Sequence, residues 1–416
     1  MPEDVFLPPR AVWPARCAGI MLVALLALGA WHMSDAVQGL PLRTLPALTA
    51  DFLEGRTTAA LEKRLVEGMP VRGTAVAFAN GVRYRLFDGG PDEVRVGRDG
   101  TLFLTEEMVW HRDGRDNQSV RTELLAQAAQ HLERQGVILV VALVPDKSRM
   151  LHRQLRSGYP AELEPRYGQA VASLRKAGVA VVALDTALTP GTDGSIPYYR
   201  SDTHWNQTGA RAAAQEIARQ VQTRLPLQKP SSFRTEATGA PEVRIGDLVK
   251  MMGLATAPSW LRPPVDMEAP LRTIDTAPPP PSTGLFGSTA IPVVLVGTSY
   301  SLRANFHGYL QEALGVAVLN AARDGSGFLQ AAEDYLRNEA FTSDKPQMII
   351  WELPERFLQA PLGNESGFLV RTGLIRCPQD RRQRPGEEGL SGSFQPASSA
   401  RPSGLKDECR SQTDPQ

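Results

Sequence analysis

Three polar side chains in this sequence have the types and placement needed to move an acyl group. Asp202 and His204 stand two residues apart in the stretch Ser201 to Gly209, just before a run with helical spacing. A histidine is the side chain best suited to shuttle a proton near neutral pH. A carboxylate that accepts a hydrogen bond from one imidazole nitrogen leaves the other free as a base. About a hundred residues later Ser299 follows Gly297 and Thr298 at the end of the apolar run Val293 to Val296. A serine at the end of a buried strand and before a helix is where a nucleophile is commonly presented. Ser301 is its nearest competitor, set inside the helical start and expected to point away from the strand rim.

Each motif also has a plainer reading. Asp-x-His is common in solvated loops, and Asp202 would serve as a helix cap for the run beginning near Asn206. A metal site is a third reading, since Asp and His are both ligands. Zinc usually takes three or four protein ligands, and no second His or Cys cluster lies nearby in the sequence. No metal or cofactor is therefore expected. What favours the relay is their combination, with Ser299 at the end of a strand-like run and Asp202 and His204 a loop beyond the strand that ends at Asp185.

Those runs define the scaffold. Val137 to Val144, Val179 to Leu184, Val293 to Val296, Val316 to Leu319 and Met348 to Trp351 are short, apolar and mostly β-branched. Such runs suit strands buried on both faces of a parallel sheet. Helical spacing over Glu123–Arg134, Leu163–Lys176, Thr208–Leu225, Ala304–Leu314 and Phe328–Leu336 alternates with them. The alternation predicts a doubly wound α/β domain, whose chemistry gathers at the carboxyl ends of its strands. Asp146, Asp185, Ser299, Asn320 and Glu352 all fall at such ends. Between residues 226 and 292 the pattern lapses and prolines recur, including Pro278 to Pro281. This stretch reads as a long irregular insertion, a lid, a binding surface or a disordered stretch, with a short helix near Gly246 to Leu254.

The flanks are of a different kind. Cys17 to Trp31 is unbroken apolar and small residues, preceded by Arg10 and Arg16. The run reads as a signal-anchor over residues 1–35, with the rest of the chain exported; a cleaved signal peptide is the alternative. Residues 36–90 read as a spacer with a helix, then a hairpin over Ala75–Phe87 turning at Asn80-Gly81, a strong turn dipeptide. A second hairpin is expected over Val94–Leu104, turning at Asp99-Gly100. Residues 91–362 form the expected catalytic domain. Residues 363–416, rich in Gly, Ser, Pro and Arg, read as a disordered tail; Cys377 and Cys409 lie there and would be free to pair in an oxidising compartment. The 45 basic and 45 acidic residues balance, which argues against an electrostatic nucleic-acid binder.

In order and spacing these residues resemble the SGNH-hydrolase-like domain of the alginate O-acetyltransferases, the AlgJ/AlgX type. The resemblance runs from about Val94 to Leu358. It rests on Gly97 to Phe103, Pro145-x-Lys147, Asp202-Thr-His204-Trp205, Gly297-Thr-Ser299-Tyr-Ser301 and Trp351-Glu352-x-Pro354-Glu355-Arg356. Asp and His precede Ser, the permuted order of that family. The resemblance implies Ser299 as nucleophile, His204 as base and Asp202 as its orienting partner. Gly325, Gly327, Asn320 and Tyr300 are the implied oxyanion or substrate contacts. The usual third block with its Gly-x-Asn is absent, and Glu352 stands near its place. The implied activity is O-acetylation of an exopolysaccharide, alginate before others, on the periplasmic face of the inner membrane. The implied partners are a polysaccharide acceptor and a membrane-bound acyltransferase that supplies acetyl. A carbohydrate acetylesterase with the same triad and a non-catalytic polysaccharide-binding scaffold are the rival readings.

Overall fold

In the structure, a computed structural model, residues 72–222, 232–277 and 291–375 are described, together with scattered residues between 19 and 63. The chain divides into two compact units: residues 1–89 with 252–262, and residues 90–251 with 263–416.

The smaller unit is built on helix α1 (Arg72–Phe87). The turn signal at Asn80-Gly81 predicts a hairpin here, and the structure corrects it. Asn80 Nδ2 donates to the carbonyl of Met252 at 2.9 Å. A Cβ on Gly81 would meet Leu261 Cβ at 2.8 Å. The dipeptide that signals a turn in isolation serves as a close-packing site on a helix, because a partner segment distant in the sequence needs the room. Among the described residues no helix is long and apolar enough to cross a membrane. Residues 19–24, within the expected anchor, are helical. Most of the remaining expected anchor and spacer lies outside the described residues.

The larger unit opens with β1 (Val94–Val96) and β2 (Leu102–Leu104), antiparallel as expected. Asp99 and Gly100 turn the pair with φ of 54° and 71°, the left-handed region that Gly and Asp tolerate. Then come α2 (Gly114–Glu133), β3 (Ile138–Val144), α3 (Arg166–Lys176), β4 (Ala180–Ala183) and α4 (Gln207–Gln222). The insertion carries β5 (Phe233–Ala237), β6 (Glu242–Arg244), α5 (Asp247–Met251), β7 (Asp266–Glu268) and β8 (Leu271–Asp275). The core resumes with β9 (Val293–Val296), α6 (Phe306–Leu314), β10 (Val318–Asn320), α7 (Gln330–Leu336) and β11 (Met348–Pro354).

Five strands form one parallel sheet in the order β10-β9-β11-β3-β4. Successive side chains on a strand point to opposite faces, and the core divides accordingly. Val140, Ala142, Val293, Leu295 and Ile350 pack on one side with α4 and α6. Leu139, Val141, Val294, Val296 and Trp351 pack on the other with α2, α3 and α7. All four residues of β9 are buried, as a strand covered on both faces must be.

Two expectations for this unit are corrected. The insertion is not irregular: β5 pairs with β8 and β6 with β7, each antiparallel. None of the residues of these strands is buried and most are polar, so no apolar alternation marks them in the sequence. Pro278 to Pro281 lie outside the described residues. The tail expected from residue 363 is ordered at its start, where residues 368–371 are helical and Phe368 and Leu369 are completely buried. Those apolar side chains have the α7 face of the sheet to cover. Residues 376–416, with Cys377 and Cys409, lie outside the described residues.

Candidate active site

Ser299 opens a helical turn, Ser299–Leu302, at the carboxyl end of β9. Glu352 on β11 holds that turn from beneath. Its carboxylate accepts from the Thr298 amide at 2.8 Å, from Thr298 Oγ1 at 3.0 and 3.1 Å, and from Ser301 Oγ at 3.0 Å. A Cβ on Gly297 would stand 2.6 Å from Glu352 Oε2, so only glycine lets the carboxylate come this close. Thr298 Oγ1 in turn accepts from the Tyr300 amide, and the Thr298 carbonyl accepts from the Ser301 amide. The first amide of a helical turn has no intrahelical acceptor. That leaves the Ser299 N–H as the donor of the turn not used in holding it. Ser301 points into the core, and Ser299 Oγ faces the rim.

The loop with Asp202 and His204 follows β4, three strands away from β9. It reaches Ser299 by crossing the rim. An isolated bridge between Tyr198 and Trp205 closes the loop on itself. Tyr198 Oη donates to the carbonyl of Pro145, at the end of β3, at 2.6 Å. Lys147 Nζ, fully buried, donates to the carbonyls of Leu102, Arg200 and Asp202 at 2.6, 3.0 and 2.9 Å. Tyr300 Oη donates to the carbonyl of Thr203 at 3.0 Å, and its ring lies edge-on to His204 and Trp205.

The three side chains meet there. His204 Nε2 is 2.7 Å from Ser299 Oγ, and His204 Nδ1 is 2.6 Å from Asp202 Oδ1. With the proton on Nδ1, the imidazole donates to Asp202 and accepts from the Ser299 hydroxyl. Asp202 is 2 % exposed and His204 6 %, while Ser299 is half-buried and open to a substrate. Burial works to raise the Asp202 carboxyl. The hydrogen bond and charge of His204, then Arg244, outweigh it and hold the carboxyl well below the usual range.

The other expected contacts fall into two groups. Gly325 and Gly327 have φ of 66° and 56°, and their loop is tied to the end of β9: Ser326 Oγ and the Arg323 amide both donate to the Gly297 carbonyl at 3.1 Å. Asn320 uses its side chain to tie that loop to the Ser299 turn, donating to Ser301 O and accepting from Ala322 N. Tyr300 as a substrate contact is corrected. It is 1 % exposed and its hydroxyl is spent on Thr203, so it packs beneath the Asp202-His204 loop.

Sequence reasoning missed the residues that grip Asp202 from the insertion. Arg244 NH2 and the Asp247 amide both donate to Asp202 Oδ2 at 3.0 Å. Asp247 Oδ1 accepts from the Thr203 amide at 2.8 Å. Asp266 accepts from the amides of Arg200 and Ser201, each at 2.9 Å, and from Ser201 Oγ. No local signal marks them, since their partners lie some forty to sixty-five residues away. Asp202, His204 and Asp247 are also the one group among the described residues with metal-ligand proximity. Both imidazole nitrogens are already engaged, and Asp202 Oδ2 already faces two donors, so the arrangement suits a proton relay better than a cation.

Residues 94–355 match the ALGX family, described as an SGNH hydrolase-like domain, acetyltransferase AlgX. The chain belongs to this family of acetyltransferases. The Pseudomonas fluorescens protein named "Probable alginate O-acetylase AlgJ" is 34% identical over 363 residues, covering 84% of this chain and 88% of that one. The solved O-acetyltransferase domain of Pseudomonas putida AlgJ is 32% identical with a TM-score of 0.59, covering 67% of this chain and 98% of that one. The structure of Pseudomonas aeruginosa AlgX, 24% identical with a TM-score of 0.53 over 68% of this chain and 66% of that one, shares the fold.

Proposed function

We propose that this acetyltransferase loads an acetyl group onto Ser299 and passes it to a hydroxyl of an exopolysaccharide, alginate in the first instance. The observation that carries the reading is the unbroken hydrogen-bonded line from Asp202 Oδ1 through the His204 ring to Ser299 Oγ. His204 Nε2 takes the Ser299 proton as Oγ attacks the acetyl carbonyl. The oxyanion that forms is met by the Ser299 amide and by the loop of Gly325 and Gly327, each donor contributing about 2.7–4 kcal/mol. The donor's oxygen leaves with the proton from His204, and acetyl-Ser299 remains. A sugar hydroxyl then gives its proton to His204, attacks the acetyl carbon and releases Ser299 with its proton restored. Alginate is the acceptor of choice because relatives of the chain carry it in their names.

The site would act on the periplasmic side of the inner membrane. Arg10 and Arg16 ahead of the apolar run support that orientation, and the exposed apolar side chains of Ile20, Met21, Leu22 and Val23 support burial of the run in lipid. A membrane-bound acyltransferase would supply the acetyl group.

The test uses the full chain in detergent with an acetyl ester of methylumbelliferone. Mass spectrometry of the wild type is expected to find one acetyl group on the Ser299 peptide, discharged on adding mannuronate oligosaccharides but not neutral glucan oligosaccharides. Ser299→Ala is expected to carry none. An acetyl group on any other residue, or full turnover in Ser299→Ala, overturns the assignment. Cell fractionation with sequencing of the mature N-terminus tests the anchor, and a soluble protein beginning near Ala30 would refute it.

A further inference from the structure

The insertion reaches the relay at one charged point. Arg244 ends β6 and Glu268 ends β7, and the two strands are paired with Arg244 opposite Asp266. Arg244 NH2 lies 3.0 Å from Asp202 Oδ2, and NH1 lies 3.1 Å from Glu268 Oε2. Its guanidinium carbon sits 4.4 Å from the centre of the Tyr199 ring, and Tyr199 Oη donates to Glu268 Oε1. The planar fork is thus fixed on three sides, an arrangement an ammonium group would not reproduce. The corner after β6 is equally constrained: a Cβ on Gly246 would lie 2.0 Å from Ser201 O.

We propose that Arg244 is a positioning residue of the acyl-transfer relay, holding Asp202 by Oδ2 so that Oδ1 stays on His204 Nδ1, and setting the charge against which His204 works. This rests on Ser299 being the acyl carrier. The surroundings make the charge of Arg244 consequential. The groups facing Asp202 and His204 are Asp247, whose Oδ2 is 3.6 Å from His204 Nδ1; Glu352 on β11, which interacts with His204 through space; Asp266 and Glu268 on β7; Lys147, bonded to the Asp202 carbonyl; and the Tyr300 ring. Arg244 is the cation among them that touches the Asp202 carboxylate. Without it the Asp202 carboxylate is less opposed, and the negative charge beside the imidazole grows.

The experiment compares full-length wild type, Arg244→Met and Arg244→Lys. Arg244→Met is expected to lower kcat for the acetyl ester about ten- to a hundredfold with KM nearly unchanged. It is also expected to move the acid limb of the kcat/KM profile upward by about one pH unit. Arg244→Lys, with the charge but not the fork, is expected to return the limb toward its wild-type position while kcat stays low. A merely structural Arg244 would lower the unfolding temperature and leave the limb in place; an unmoved limb overturns the proposal. Proton resonances of ¹⁵N-labelled histidine read the same charge without turnover. The chemical shift of the Asp202-bonded His204 Nδ1–H is expected to move in Arg244→Met, and no change there also overturns it. If wild-type Ser299 takes no acetyl group the functional reading fails, and the His204 resonance still decides the role of Arg244.

Discussion

Replacing Asp202 by asparagine exchanges one carboxylate oxygen for an NH2 group, and the surrounding donors decide which one. Each carboxylate oxygen faces two donors: Oδ1 takes the His204 amide at 3.0 Å and Nδ1 at 2.6 Å, and Oδ2 takes Arg244 NH2 and the Asp247 amide, each at 3.0 Å. An asparagine must turn its NH2 toward one of these pairs. Facing Arg244 it meets a fixed cation and a fixed backbone N–H. Facing His204 it meets one backbone N–H and an imidazole that is able to change tautomer. The amide nitrogen is therefore expected to turn to His204, whose Nδ1 becomes the acceptor while the proton moves to Nε2. Nε2 then has no lone pair for the Ser299 proton. The expected loss in kcat is about 10⁴-fold, the scale seen when a triad histidine is held in the wrong tautomer. Stability falls too, because the His204 amide loses its buried partner and the Arg244 bond loses its ionic character. Hydrogen bonds to charged groups contribute about 1.5–3 kcal/mol each. With the Arg244 bond only weakened, the expected loss is about 3 kcal/mol.

The assay is urea unfolding followed by tryptophan fluorescence, alongside turnover of the acetyl ester. The pH dependence adds a second check. Asp202 is held below the ordinary carboxylate range, since His204 and Arg244 together overcome its burial. A depressed carboxyl contributes stability above its unfolded value near about 3.9 and loses it as pH falls through the folded value. The stability gap between wild type and Asp202→Asn is therefore full at about pH 7 and closes only below about pH 4. An asparagine variant within about tenfold of wild-type kcat, or a gap already closed at about pH 5, would refute the donor-saturated carboxylate.

Gly246→Ala is expected to cost about 1–3 kcal/mol by overpacking against Ser201 and to lower kcat by more than about tenfold as the Asp202 loop shifts; thermal unfolding and ester turnover measure the two effects. Tyr300→Phe leaves the buried Thr203 carbonyl without its donor, for about 1–3 kcal/mol, and its kcat is expected to fall because Thr203 adjoins His204; the same two measurements apply. Ser301→Ala is expected to keep acylation at Ser299 within a few-fold while losing some stability, because Ser301 Oγ faces Glu352. Loss of the acetyl-enzyme burst in that variant would mean the nucleophile is Ser301.

The parts of this molecule legible in the sequence are those whose physics is local. Val137 to Val144 and Met348 to Trp351 declare themselves because a strand buried on both faces has no polar position to spare. Ser299 is marked by the apolar strand before it and Gly297 at its back, and His204 by an aspartate two residues away. Asn80-Gly81 misleads for the opposite reason, since the contact with Leu261 that overrides its turn preference is invisible to any short window. The insertion is a harder case. β6 and β7 are three residues each, none buried and each with a single apolar residue, so their pairing rests on backbone register rather than on apolar pattern.

Yet the strands that were hardest to read supply Arg244 and Asp266, and the corner after β6 supplies Asp247. This has a physical reason. The rim of a parallel sheet positions a nucleophile well, because β9 and β11 fix Ser299 from two sides. A base carried on a loop from beyond β4 has no strand beneath it where it meets Ser299, and its backbone donors need acceptors. Asp247 and Asp266 accept from the amides of residues 200, 201 and 203, while Lys147 donates to the carbonyls of Arg200 and Asp202. Side chains from the insertion thus do for the His204 loop what sheet hydrogen bonds do for the Ser299 strand. The Asp202–His204–Ser299 line depends on the insertion even though none of its described residues is bonded to Ser299.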